Sequence, residues 1–196
     1  MRKDNTQDNF NDILLSSSTS IRRYRELEAA QNRSEIAKFI YQRFWERYIA
    51  PFESMSHRQK HGFSIMAVSC LMIEALESFR QGYLNTDGKS SSCFQGFLQK
   101  TKHLGKFKDI SVQFYKNVRC GILHQAETTG GWRIRRDGPL FDGETRTINA
   151  TQFLSCLKKE LKQYQLELES SDWSSILWEN LRNKTDAIIE NCRRNQ

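Results

Sequence analysis

Between Ser56 and Gln81 the side chains Ile65, Val68, Leu71, Met72, Ala75, Leu76 and Phe79 recur at helical spacing and cover a wide apolar arc. A helix apolar around so much of its circumference is stable only when other elements wrap it, so this segment predicts a central core helix, stopped by Gly82. What wraps it reads as helical too. Two prolines and ten glycines punctuate 196 residues, the long stretches are built from Leu, Ile, Phe, Lys, Glu and Gln, and Val-rich alternating runs are few. The predicted fold class is all-α.

Along the chain, residues 1–20 read as a flexible polar arm that contains Ile13-Leu14-Leu15 and ends in Ser16-Ser17-Ser18-Thr19-Ser20. Residues 21–196 read as a single helical domain. Tyr24, Leu27, Ile36, Phe39, Ile40, Phe44 and Tyr48 predict one interrupted helix or two, with Asn32 or Ser34 as a cap and Pro51 as the close. A loop over Tyr83–Ser92, a short helix around Cys93–Lys102 and a turn near Gly105 follow. Asp109 can cap the next helix, which should run to about Glu127 and end at Gly130-Gly131. A small β-hairpin is expected within about 130–149, from Trp132-Arg133-Ile134, Asp137-Gly138-Pro139 and Thr145 to Ile148. Asn149 or Thr151 can cap a helix through Glu169, and Ser171 or Asp172 a last one carrying Trp173, Ile176, Leu177, Leu181 and Ile188.

The formal charge of +7 suits a polyanionic partner such as nucleic acid and equally serves solubility. Cys70, Cys93, Cys120, Cys156 and Cys192 are odd in number and form no Cys-x-x-Cys pair, which predicts free thiols in a reducing cytoplasm. The start, MRKDNTQDNF, leads into no apolar core, and no run is expected to reach the roughly 18 apolar residues of a membrane span, so a cytoplasmic chain is expected. No P-loop, dinucleotide fingerprint, Gly-x-Ser-x-Gly elbow or paired zinc ligands occurs, which removes the commonest enzyme classes. His57 and His61 stand at a spacing that can bind a metal, but no third ligand accompanies them, and no metal or other cofactor is expected.

The stretch Phe114-Tyr115-Lys116-Asn117-Val118-Arg119-Cys120-Gly121-Ile122-Leu123-His124-Gln125 carries two stripes. Ile110, Phe114, Val118 and Ile122 form an ordinary core face. Asn117, Cys120, Gly121 and His124 share a sector without bulk, where another helix can approach or a shallow site can form. On an ideal helix Arg119 stands about 140° from His124. The two therefore serve one phosphate only if packing or a partner subunit brings them together.

An Arg-x4-His pair at the end of a helix, in a mostly helical chain, resembles the defining motif of the HEPN family of ribonucleases. The resemblance is carried by Arg119 and His124, with Glu74 and Glu77 on the preceding long helix as family-like acidic companions, and covers about residues 33–164. It implies an HEPN-like helical bundle in which the hairpin is an insertion after the motif helix. It also implies a homodimer whose two motifs face one composite cleft, and a metal-independent endoribonuclease of toxin or antiviral-defence type. An antitoxin or other regulatory protein is a further implied partner. Cys120 departs from the family, whose members often carry Asn, Asp or His directly after the arginine.

The residue types suit that chemistry. RNA transesterification needs a group to take the 2′-hydroxyl proton, a charge clamp on the phosphate and a proton for the leaving 5′-oxygen. Histidine exchanges protons near neutrality, and arginine presents a planar cationic fork to two phosphate oxygens.

Each residue also has a plainer reading. His124 can be a helix-end residue on terminal carbonyls, and Arg119 a surface ion pair. Glu74 and Glu77 share the least apolar strip of the core helix with Cys70 and Gln81, where they either orient Arg119 or face water. Asn117 can hold a phosphate or the His124 ring and Lys116 can touch an RNA backbone, or both solvate the helix. Trp132, Arg133, Arg135 and Arg136 read as a strand that stacks on a base and follows a phosphate chain, or as a hairpin with outward charges. The expected function is RNA cleavage through the 2′-hydroxyl, with Arg119 and His124 catalytic. The alternative is a non-catalytic HEPN-like module binding RNA, a nucleotide or another protein, in which His124 is dispensable.

Overall fold

The computed structural model describes residues 10–56 and 59–194, and they are mainly helical. In order, the elements are α1 (Ile21–Ala29), α2 (Arg33–Phe44), a π turn (Trp45–Ile49), α3 (Ala50–Glu53), α4 (Gly62–Gln81) and α5 (Ser90–Lys100). A 3-10 turn (Gly105–Phe107), α6 (Ser111–Phe114), a second π turn (Tyr115–Arg119) and α7 (Cys120–Gln125) lead to β1 (Arg133–Arg135), β2 (Phe141–Asp142) and β3 (Thr147–Asn149). Helices α8 (Ala150–Ser170) and α9 (Ile176–Arg194) follow. The chain forms two compact units. One comprises the residues up to Glu46, Ser78–Asn85 and the chain from Lys162; the other comprises Arg47–Glu77 and Thr86–Leu161.

The first unit is built on capped amphipathic helices. Ser20 Oγ accepts from Arg23 N and Asn32 Oδ1 from Glu35 N, both at 3.2 Å, which satisfies N–H groups that the first turns of α1 and α2 leave unpaired. Tyr24 and Phe39 meet with centroids 5.7 Å apart. Gly82 ends α4 at φ +66°, and a Cβ there would fall 2.9 Å from the Cα of Asn180. Both the left-handed backbone and the close approach require glycine. Trp178 is fully buried, and its indole N–H donates to Leu168 O at 3.0 Å.

The segment 10–20, expected to be a loose arm, is packed. Phe10 and Leu15 are buried, Leu15 N donates to Thr19 O at 2.8 Å, and Ser17 N donates to Glu46 Oε2 at 3.1 Å. The serine run suggested solvation, but several of its polar groups are bonded and Leu15 beside it is out of water, while Leu14 stays exposed. Residues 1–9 of the arm lie outside the described residues.

In the second unit α4 starts at Gly62 rather than Ser56, and Pro51 opens α3 instead of closing a helix. At a first helical turn proline has no hydrogen bond to lose. Contrary to the sequence expectation, α4 is long and apolar enough to cross a membrane by length and composition; 67% of that stretch is buried within the protein, as the wrapped core helix requires. Phe114 of α6 stacks on Phe153 of α8 at 5.5 Å and meets Phe107 at 5.2 Å, Phe94 at 5.3 Å and Trp132 at 5.8 Å. This aromatic cluster anchors the motif helix.

The insertion is not a plain hairpin. Strand order is β1-β3-β2, with β3 antiparallel to β2, Phe141 opposite Ile148, and parallel to β1, Arg133 opposite Thr147 and Arg135 opposite Asn149. The two segments read as hairpin arms thus run side by side in one direction. The turn at Gly138, φ +78°, is pinned through its carbonyl to the Asn149 and Gln152 amides, each at 2.7 Å, and an extra short strand, β2, takes the antiparallel place. Asn149 Oδ1 also accepts from Gln152 N at 3.1 Å and caps α8, as its sequence position predicts.

Candidate active site

The segment carrying Arg119 and His124 is a helix with a defect. Ile110, not Asp109, stands at its start, without a side-chain cap. The chain winds through α6, opens into the π turn at Tyr115–Arg119 and closes again in α7. A π turn admits one extra residue, so Arg119 is rotated relative to Ile110 and Phe114 from where an unbroken helix puts it. From Arg119 to His124 the winding is ordinary α-helix, and the angle of about 140° between them holds. The consequence is opposite surroundings: the Arg119 side chain is 12% exposed and turned inward, whereas His124 is exposed to solvent.

Arg119 turns onto α4. Its Nε donates to Glu74 Oε1 at 2.6 Å and its Nη2 to Glu74 Oε2 at 3.1 Å, and the guanidinium lies 5.4 Å from the centre of the Tyr115 ring. Burial works against the cation, but the Glu74 hydrogen bond and charge more than compensate, so Arg119 is held charged. Glu74 thus engages two of the guanidinium's five N–H groups. Of the two readings open for Glu74, the orienting contact with Arg119 is the one realised. Glu77 is also buried, but its carboxylate faces Lys100 Nζ at 3.4 Å.

The small-residue stripe is filled by the chain itself. Helix α7 ends at Ala126, left-handed at φ +54°, before the Gly130-Gly131 pair expected to stop it. The returning backbone crosses Gly121 so closely that a Cβ there would meet Glu127 O at 2.5 Å. Asn117 fastens the same loop: Oδ1 accepts from Thr129 Oγ1 at 2.9 Å, its carbonyl accepts from Thr129 N at 2.9 Å, and Nδ2 donates to Gln113 O at 2.9 Å. Its amide is thus spent on positioning the loop, and it does not hold the His124 ring.

Trp132 was expected to be open to a base and is not. It is 7% exposed, between Phe114 and Phe141, whose ring it stacks on at 5.6 Å. The apolar ring gains more from the cluster than from water. Arg133 and Arg135 are exposed on β1, and Lys116 is exposed on the π turn. Arg136 is turned to the fold, donating to Ser56 O and Gln59 O at 2.8 Å and to Thr151 Oγ1 at 3.1 Å.

Tyr115 was passed over in the sequence, though it stands four residues before Arg119, the spacing of stacked helix neighbours. Burial pushes its phenol pKa up, which keeps the hydroxyl a neutral donor beside the guanidinium. Among the described residues no group of three His, Cys, Asp or Glu side chains is placed to hold a metal ion, and His57 lies outside them. Compared with protein-family models, curated proteins and solved structures, the chain matches none.

Proposed function

We propose that the chain is a metal-independent endoribonuclease of HEPN type, acting as a homodimer in a toxin or antiviral-defence setting. The observation that supports this reading is the two-point grip of Glu74 on Arg119, which presents a fixed cation on the same helix as a solvent-facing His124. A fixed guanidinium clamps the scissile phosphate without reorganising during reaction. One His124 takes the 2′-hydroxyl proton; O2′ attacks phosphorus, the P–O5′ bond breaks, and a second protonated imidazole returns a proton to O5′. The products are a 2′,3′-cyclic phosphate and a 5′-hydroxyl. Because Arg119 and His124 of one chain face different ways, a second copy supplies the complementary group.

The test is cleavage of a mixed-sequence RNA in excess EDTA by the wild type, His124→Ala and Arg119→Ala, each shown to be folded. Loss in both variants is the expected result. A wild type that cuts no RNA sinks the reading. A second reading, a non-catalytic RNA-binding module, is favoured by the same ion pair, since Glu74 occupies part of the fork that a phosphate would use. It requires salt-sensitive binding without product.

A further inference from the structure

Strand β1 has a groove on each side, and cationic side chains line both. One, of about 280 Å³, is bounded by Arg133, Arg135, Pro139, Asp142, Thr145 and Thr147. The other, of about 590 Å³, is bounded by Lys60, Phe63, Ile134, Arg135 and Arg136. The two share Arg135 and also Asp137, an exposed acid at their common rim. Asp142, in the first groove, makes no ion pair with either arginine among the described residues. Its carboxylate accepts from Glu144 N at 3.0 Å, Thr145 N at 3.3 Å and Thr145 Oγ1 at 2.8 Å, bonds that hold its pKa below the usual carboxylate range. Arg133 and Arg135, by contrast, are exposed and make no ion pair among the described residues.

Alternate residues of a strand share a face and stand about 6.6 Å apart, a spacing of the order of one phosphodiester repeat. In the second groove, which Arg135 also lines, Phe63 is half-buried, an aromatic surface next to cations, the pairing that single-stranded nucleic acid uses. We propose that the grooves along β1 bind the backbone of single-stranded RNA, Arg133 and Arg135 on successive phosphates and Phe63 under one base. Phe63 thus takes the stacking place from which burial removes Trp132. The choice of RNA as the polymer rests on the proposed nuclease reading; the groove itself is separate from Arg119 and His124.

The chain carrying His124→Ala is titrated against dye-labelled oligouridine, followed by fluorescence anisotropy at several salt concentrations. Adding Arg133→Ala and Arg135→Ala weakens binding about tenfold or more and lowers the log–log salt slope by about 1.4, two single-strand phosphates' worth. Arg133→Lys with Arg135→Lys restores the slope, and Phe63→Leu weakens binding several-fold at unchanged slope. No salt-sensitive binding, or affinity and slope unchanged in the double alanine variant, overturns the proposal. So does polyglutamate that displaces the RNA as well as unlabelled oligouridine does, which would make the surface one for acidic peptides. If the wild type cuts no RNA but the slope falls, the groove stands and the nuclease reading fails; cutting with an unmoved slope means the reverse.

Discussion

Glu74 and Arg119, 45 residues apart in sequence, meet at two points, carboxylate oxygen to guanidinium nitrogen on each. Side-chain exposures of 10% and 12% take the pair largely out of water, where a lone charge is costly and a paired one tolerable. Glu74→Ala strands the cation and is expected to destabilise the fold by about 3 kcal/mol. Arg119→Ala strands the anion at similar cost. The double variant should lose less than the sum, by about 0.5–3 kcal/mol. Urea unfolding of the four proteins measures this, and strictly additive losses would show that the two residues are not energetically coupled.

Trp132 supplies a second test, because its burial assigns it to the core. Trp132→Ala removes the ring stacked on Phe141 and edge-on to Phe114, with an expected loss of about 3–5 kcal/mol. Trp132→Phe keeps an aromatic there and should lose much less. A stable alanine variant with weakened RNA binding would return Trp132 to a surface role.

Much of the helical architecture was legible because its signals are local. Asn32 and Asn149 cap where their side chains predict, Gly82 stops α4, and Ile65, Met72, Leu76 and Phe79 of the α4 arc are buried, whereas Leu71 is exposed. The site was legible only in part. Of the readings open for Glu74, the contact with Arg119 is met, since both rest on spacing along helices. The π turn at Tyr115–Arg119 was not foreseen, because periodicity presumes uniform winding. Trp132 was misplaced for a different reason: an aromatic just ahead of basic residues fits a stacking surface or a core plug equally, and only the position of Phe114 and Phe141 decides. The β1–β3 pairing was hidden likewise, since strand direction within a short sheet is set by the intervening chain rather than by composition.

Gly121 lies inside the Arg119-to-His124 segment, and its lack of a side chain lets the backbone at Glu127 and Thr128 pass over α7. A methyl group there meets Glu127 O at 2.5 Å and Thr128 Cα at 3.3 Å, backbone atoms that cannot swing aside. The higher helix propensity of alanine works the other way by up to about 1 kcal/mol, less than the cost of about 1–3 kcal/mol for forcing atoms into a filled site. Gly121→Ala is therefore expected to lower the melting temperature. A rise would mean that the loop moves away freely and that the helix gain wins.

Glu160 makes the fold sensitive to acid. The backbone N–H of His103 donates to Glu160 Oε1 at 2.6 Å, and the His103 ring Nδ1 lies 2.8 Å from the same oxygen. Burial raises the carboxyl pKa, but hydrogen bonds from the Thr101 hydroxyl and from the His103 backbone and ring outweigh it and hold Glu160 below its ordinary 4.5. With the folded pKa below the unfolded one, the stabilisation is complete above the ordinary value and is lost as pH falls through the folded value. Glu160→Gln keeps the shape but gives up the charged acceptor, so a loss of about 1–2 kcal/mol is expected at neutral pH. The two proteins should begin to converge below the ordinary carboxylate pKa and meet below the folded one, where the wild type is protonated and surrenders the same interaction. Urea unfolding from neutral pH down to about pH 3 follows the difference, and a gap between wild type and variant that stays constant across the range would assign the acid sensitivity to other carboxylates.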